Sequence, residues 1–180
     1  RASRSNRDAD RRMGRRFQQR LADNWQVYRS TNGRFEVELP GKPKRKQKQA
    51  PPPANDITIH FATVDKGRRR GAYFVVYSDY PPRIGGSPKD IMKGMSKGQL
   101  RSMQPVIKND RKPITWQGNP GLEIDAIGVA RARGKSMQAA IRMRIIMVGR
   151  RAYQIFWIGP KDNVPEQKIQ RVFDSFKLTL

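Results

Sequence analysis

Residue types able to do chemistry are few in this chain, and their spacing limits what each could do. His60 is the only histidine, so a serine–histidine–aspartate relay would have to use it. It stands mid-run between Ile59 and Phe61, where an imidazole reads as a structural or surface group, and no Gly-x-Ser-x-Gly elbow accompanies it. Glu36 with Glu38, and Glu123 with Asp125, are pairs two apart in alternating runs, so each pair projects from one face of a strand. Two carboxylates on one face can hold a cation or divide acid and base roles. With 38 Lys and Arg against 15 Asp and Glu, ion pairing across strands is their expected state instead. Cysteine is absent, which removes disulfides and thiolate chemistry, and one histidine cannot build the clusters that bind zinc. The run from Gly85 to Asp90, Gly-Gly-Ser-Pro-Lys-Asp, offers backbone N–H groups at a helix start. It lacks the spacing of a phosphate loop and reads as a capped turn. No catalytic residue, metal or cofactor is assigned, and the chain reads as a non-enzyme.

What the sequence has in excess is positive charge. The formal net charge is +23 at pH 7, beyond what solubility requires, and it directs the chain toward acidic surfaces or polyanions. Three runs carry it. Residues 1–24 hold eight arginines; Arg11, Arg12, Arg15, Arg16 and Arg20 surround Met13, Phe17 and Leu21, which are four apart and would align along one side of a helix over residues 8–23. So narrow a stripe anchors little, and the segment reads as a basic N-terminal arm or linker. As an amphipathic helix it would lie on anionic lipid or in an acidic protein groove. Lys42, Lys44, Arg45, Lys46 and Lys48 give +5 between Gly41 and Ala50, ahead of Pro51-Pro-Pro53, and read as a loop. Lys66-Gly-Arg68-Arg69-Arg70-Gly71 reads as a basic hairpin tip.

These cations are assigned to an acidic partner, either a protein or a membrane complex, with anionic lipid as a further surface. As phosphate contacts the same runs would bind nucleic acid, which is the alternative. Against that alternative, the loops match no known nucleic-acid-reading motif. Trp25, Trp116, Trp157, Tyr73, Tyr77, Tyr80 and Tyr153 stand among apolar neighbours, which assigns them to core or rim rather than to base stacking. A third expectation is a small-ligand pocket between sheet and helices.

Strands dominate the elements that would position these groups. From Ile114 to Pro160, Leu122, Ile124 and Ala126 alternate with Glu123 and Asp125, and Ile141, Met143, Ile145 and Met147 alternate with Arg142 and Arg144. Each run thus offers one face to a core and one to water. Gly118-Asn-Pro-Gly121 and Gly149-Arg-Arg151 predict tight reversals. Further strands are expected at Phe35–Leu39, Ile57–Val64 and Ala72–Tyr80. Ser87, Pro88 and Asp90 predict a helix start, with the helix running to about residue 102. Asn163 and Glu166 stand at capping-box spacing ahead of Ile169, Val172, Phe173 and Phe176 at i, i+3, i+4 and i+7. A short extended tail follows. The class is α+β, a central antiparallel sheet flanked by helices, in one domain over residues 25–180 after an arm at 1–24. A domain of this size buries roughly 70% of its unfolded surface. No window of about 18 apolar residues is present. The first residue is Arg1, not Met, and a trimmed or processed form is expected.

Three local signatures over residues 25–180 together resemble the PsbP/Mog1-like superfamily, including exported bacterial proteins of that fold. One is Tyr28 to Pro43, in which an Asn32-Gly33 turn precedes Phe-Glu-Val-Glu-Leu-Pro-Gly. Another is Gly118-Asn-Pro-Gly-Leu-Glu123 at the mouth of a hairpin, and the last is Arg151-Ala-Tyr-Gln-Ile155 with a closing helix that ends Phe173-Asp-Ser-Phe176. The resemblance implies an α/β/α sandwich and no catalytic residues. Relatives of this fold serve as extrinsic subunits on photosynthetic membrane complexes, as a binder of a small GTPase and as exported modules. The implied role is a non-catalytic accessory subunit, extracytoplasmic on the periplasmic or lumenal side and membrane-associated.

Overall fold

The computed structural model describes residues 23–132 and 135–179; residues 1–22 of the expected arm, with Arg11, Arg12, Arg15, Arg16 and Arg20, lie outside them, while Asp23 at its end is buried against Lys66 and Lys168 and so belongs to the domain. Period-two alternation gives seven strands of one antiparallel sheet: β3 (Lys44–Gln49), β4 (Thr58–Asp65), β5 (Ala72–Asp79), β6 (Met103–Trp116), β7 (Asn119–Ala132), β8 (Lys135–Val148) and β9 (Arg151–Pro160). Their spatial order is β3-β4-β5-β9-β8-β7-β6. A second sheet, ordered β1-β2-β10, is made by β1 (Gln26–Ser30), β2 (Phe35–Leu39) and β10 (Lys177–Leu178). The helices are α1 (Pro88–Leu100) and α2 (Glu166–Ser175).

Both faces of the large sheet are covered. On one face Phe35, Val37 and Leu39 of β2 and Ile169, Val172 and Phe173 of α2 pack on Tyr73, Val75, Tyr153, Ile155 and Trp157. Phe35 is central there, with its ring 5.8–6.0 Å edge-on to Tyr28, Tyr77 and Tyr153. On the other face Met92 and Leu100 of α1 pack with Ile124, Ile141, Met143, Ile145 and Met147, α1 lying over β6, β7 and β8. The helix flanking expected from sequence is therefore partial: a helix shares one face with a small sheet, and the other carries a helix at one end only.

Two-sided cover changes what alternation means in the middle of the sheet. Arg142 and Arg144 do not face water; their side chains are 20% and 14% exposed, beside α2, and the Arg144 guanidinium lies 4.7 Å from the centre of the Phe173 ring. Most of the basic run expected to be a loop is instead a strand, with only Lys42 and Pro43 left irregular ahead of it. Lys44–Gln49 is the edge strand β3, its residues all exposed, paired antiparallel with β4 from Lys44↔Thr63 to Gln49↔Thr58. Backbone pairing suffices to hold an edge strand with no apolar face.

Turn chemistry accounts for the smaller departures. The β6–β7 reversal uses Gln117 and Gly118, both at positive φ (47° and 76°), three residues before the expected Pro120-Gly121 pair. Two positive φ values give the backbone twist that suits a two-residue hairpin. Gly121 is required for another reason, since a Cβ there would come 2.8 Å from Ile114 and 2.9 Å from the Ile145 carbonyl. The Gly149-Arg150 reversal forms as expected, with Gly149 at φ 58°. Helix α1 begins with a full capping box between Ser87 and Asp90 and ends at Leu100. Helix α2 has no side-chain cap: Pro165 holds the N-cap position, and Asn163 instead donates its amide to the Arg69 carbonyl at 2.6 Å.

Two glycines at positive φ separate backbone strain from packing. A Cβ on Gly149 (φ 58°) meets nothing within 4 Å, whereas on Gly71 (φ 72°) it would sit 2.8 Å from the Trp157 ring and collide with the Ile158 carbonyl. Gly149→Ala is expected to cost about 1–2 kcal/mol, the left-handed penalty alone. Gly71→Ala should lower the urea midpoint further; equal midpoints would show that the β4–β5 tip yields to the clash.

Candidate functional site

The carboxylate pairs singled out for chemistry are held in ion pairs. Glu36 accepts from Arg29, its direct cross-strand partner, at 2.9 Å, and Glu38 accepts from Arg171 of α2 at 2.7 Å. Glu123 and Asp125 lie in register with Arg144 and Arg142, at 2.9 and 3.4 Å, and Arg142 is shared with Glu166 at 2.8 Å. Burial raises the pKa of Asp125, with Arg142 opposing the shift. At the start of α1, the Ser87 N–H donates to Asp90 at 3.0 Å and the Asp90 N–H to the Ser87 hydroxyl at 3.2 Å, so the turn caps itself. Among the described residues no three His, Asp or Glu gather as a metal group would need.

The basic runs are sorted differently. Lys44, Lys46 and Lys48 stand opposite Thr63, Phe61 and Ile59, whereas Arg45 and Gln47 stand opposite Ala62 and His60. Cross-strand partners share a face. Ile59 and Phe61 pack with the α1 side of the sheet and Ala62 with the α2 side, so β3 presents a lysine face one way and an Arg45–Gln47 face the other. The Lys48 ammonium lies 5.2 Å over the Phe61 ring. The β4–β5 tip is tied to the chain ahead of β3, where Lys66 donates to the Pro40 carbonyl at 3.0 Å. Lys42, Lys44, Arg45, Lys46, Lys48, Arg68 and Arg69 are exposed and form no ion pair among the described residues. Arg70 is half-buried; its Nε donates to the Lys66 carbonyl at 3.3 Å, and its own carbonyl accepts from Trp157 at 3.1 Å.

A cleft of about 570 Å³ opens on the Arg45 side, between β1 and the β3–β4 edge. Tyr28, Arg45, Gln47, His60 and Tyr77 line it, with no carboxylate in the lining. It lies between two sheets, not between sheet and helices as expected. His60 stacks flat on Tyr77, ring centres 4.4 Å apart and 4° from parallel. Of the aromatics considered for stacking, Trp157, Tyr153, Tyr73 and Tyr77 are buried, and Trp25 is covered by the Arg171 guanidinium at 4.1 Å. Sequence reasoning overlooked β3 and with it Tyr28 and Gln47. The available signal was the alternation Lys-Arg-Lys-Gln-Lys-Gln, a period of two written in charge.

No family model and no curated protein matches the chain. Solved structures do. The solution structure of cyanobacterial PsbP (CyanoP) from Synechocystis sp. PCC 6803 superposes with a TM-score of 0.52 at 13% identity, over 87% of this chain and 93% of that one. The Ran-binding protein Mog1p of Saccharomyces cerevisiae gives 0.49 at 11% identity, over 87% and 96%. LpqN of Mycobacterium tuberculosis, involved in cell envelope biogenesis, gives 0.43 at 10% identity, over 88% and 80%. The chain shares the fold of cyanobacterial PsbP, as the resemblance of the three sequence signatures implies.

Asp23 shows how the basic tip is fixed. Its side chain is 6% exposed and accepts from Lys66 at 2.9 Å and Lys168 at 2.6 Å. Burial alone would raise its pKa, but the two ammonium groups outweigh burial and hold it below 3.8. A depressed folded pKa contributes stability that is present above the unfolded value and lost as pH falls through the folded one. Asp23→Asn is therefore expected to lower the melting temperature at neutral pH, with the gap from wild type closing below about pH 3.8. A gap that stays constant across that range would remove Asp23 from the acid response.

Proposed function

We propose that this protein is a non-catalytic accessory subunit that docks on an acidic protein surface of a larger, membrane-associated assembly on the extracytoplasmic side. The docking surface is the lysine face of β3 with the adjoining tip at Arg68 and Arg69. One observation carries this reading: the exposed cations of these two runs form no ion pair among the described residues, whereas Arg29, Arg142, Arg144, Arg151 and Arg171 are held by carboxylates of the chain itself. Solvated cations on one edge steer an acidic partner and raise its association rate, by about 10- to 1,000-fold in strongly steered cases. Ile59, Phe61 and Phe74, half-buried beside the lysines, supply the apolar area that a stable contact must desolvate. The ion pairing of Glu36, Glu38, Glu123 and Asp125 supports the non-catalytic part of this reading.

Lysines on an edge strand also keep it from pairing with another sheet, and a chain whose lysines did only that would capture nothing. Co-purification from native membranes separates the two roles. Wild-type protein is expected to recover an acidic protein, in a salt-sensitive way, and Lys44/Lys46/Lys48→Glu to lose it while melting at the wild-type temperature. Equal recovery by the triple variant, or a chain found only free, would overturn the proposal. Binding to duplex whose affinity falls about 0.9 log units per log unit of salt for each phosphate contact would transfer these cations to the nucleic-acid reading.

A further inference from the structure

The opposite face of the same edge strand carries a second, separate surface. Among the side chains able to hydrogen-bond that line the cleft between β1 and the β3–β4 edge, four are Tyr28, Arg45, Gln47 and His60, and Thr31, Asn32 and Lys46 line it as well. Ser30 and Tyr77 are satisfied: the Ser30 hydroxyl accepts from the Gly33 N–H at 3.0 Å and bonds with Tyr77, which forms the wall behind His60. The four themselves make no side-chain hydrogen bond among the described residues. Gln47 and His60 are direct cross-strand partners, and Arg45 is two residues along the same face from Gln47. Three donors thus come from one sheet, and Tyr28 faces them from the other.

The electrostatics select the sign of a ligand. No carboxylate lines the cleft. Asp79, which interacts electrostatically with His60, is gripped by Arg151 through two hydrogen bonds of 2.7 Å, and the Arg151 guanidinium also lies 5.3 Å from the Tyr77 ring. Arg29 at the mouth is tied to Glu36. An arginine fork matches two oxygens of a planar or tetrahedral oxyanion, and an imidazole, a phenol and an amide add directional donors. The stacked His60–Tyr77 pair and the Tyr28 ring give flat walls to the body that carries the anion. A volume of about 570 Å³ falls within the range of small-molecule sites, roughly 300–1,000 Å³.

From this convergence we propose that the cleft binds a small organic oxyanion, a carboxylate or phosphate ester, with Arg45 as its principal anchor and His60, Gln47 and Tyr28 as orienting donors. Arg45 and Gln47 project from β3 on the face opposite Lys44, Lys46 and Lys48, so the two sites use different side chains of one strand, with Lys46 alone belonging to the lysine face and to the cleft lining.

The test is an NMR titration of backbone amides with citrate, with inorganic phosphate and with an uncharged sugar. Saturable shifts are expected at residues 28–32, 45–47, 60–62 and 75–77 with one or both anions and none with the sugar, and which anion saturates assigns carboxylate or phosphate. Arg45→Ala should weaken binding about tenfold, the loss of one charge-assisted donor. Gln47→Ala, on an exposed position that does not bear on folding, should weaken it less, and Arg68→Ala, outside the cleft, should leave it unchanged. Shifts that rise linearly for both anions and fall equally on Lys42, Arg68 and Arg69 would mean general counter-ion attraction. That result, or unchanged binding by Arg45→Ala, overturns the proposal.

Discussion

Strand β9 is the constraint on which the rest of this structure depends. Buried on both faces from Ala152 to Trp157, it can exist only if both faces of the sheet are covered, and its polar groups choose the covers. The Tyr153 hydroxyl donates to the Gly33 carbonyl at 2.7 Å and fixes the β1–β2 turn. Trp157 donates to the Arg70 carbonyl at 3.1 Å and fixes the β4–β5 tip. Gln154, 8% exposed, accepts from Gln99 of α1 at 3.1 Å. Arg151 joins Asp79 to the Asn32 carbonyl, at 2.7 and 2.9 Å. A buried polar atom left without its partner costs about 1–3 kcal/mol, so the tethers of Tyr153, Gln154 and Trp157 penalise any arrangement in which small sheet, tip or helix sits elsewhere, and the more exposed contacts of Arg151 add less.

The division of cations follows from the same covering. Arginine is weakly hydrated and forked, so it tolerates half-burial against a carboxylate or an aromatic ring. Arg142, Arg144, Arg151 and Arg171 all occupy such places, each paired with a carboxylate, while Arg144, Arg151 and Arg171 also lie against rings. Lysine is a compact, strongly hydrated charge, and at β3 it remains in water, with only Lys48 lying along a ring. Among the described residues, one group of cations is neutralised locally and closes α2 over the sheet, while the exposed cations of β3 and the β4–β5 tip form no ion pair, and neither do others such as Lys93 and Lys97 on α1.

Much of this was legible in the sequence because the signals were local. Ser87 and Asp90 specify a helix start whatever surrounds them, the apolar stripe from Ile169 to Phe176 finds the core from its own period, and Glu123 opposite Arg144 follows from two alternating runs joined in register. The failures came where a partner decides the outcome. Lys44–Gln49 has no apolar residue to mark it as a strand, and only the open edge of β4 makes it one. Pro120-Gly121 looks like a turn until Trp116↔Asn119 pairing moves the reversal to Gln117-Gly118. Arg142 and Arg144 look solvent-facing until α2 arrives. The cleft could not be read at all, because Tyr28 and Arg45 meet only when two separate sheets are packed.

An edge strand with six exposed positions contributes to folding mainly through its backbone. Its side chains have no packing duty, and surface substitutions of that kind change stability by only about 0.5 kcal/mol either way. Such a strand can change what it recognises without disturbing β9 or its tethers. Period two then divides it: lysines at 44, 46 and 48 stand on one face and Arg45 and Gln47 on the other, the two faces to which the proposals for a protein partner and for a small anion are assigned. A fold whose interior is fixed by a buried strand, and whose edge is energetically undemanding, is physically suited to serve different partners in different proteins. In this chain, function is therefore to be sought at β3 and the cleft behind it, not among the carboxylates that hold the interior together.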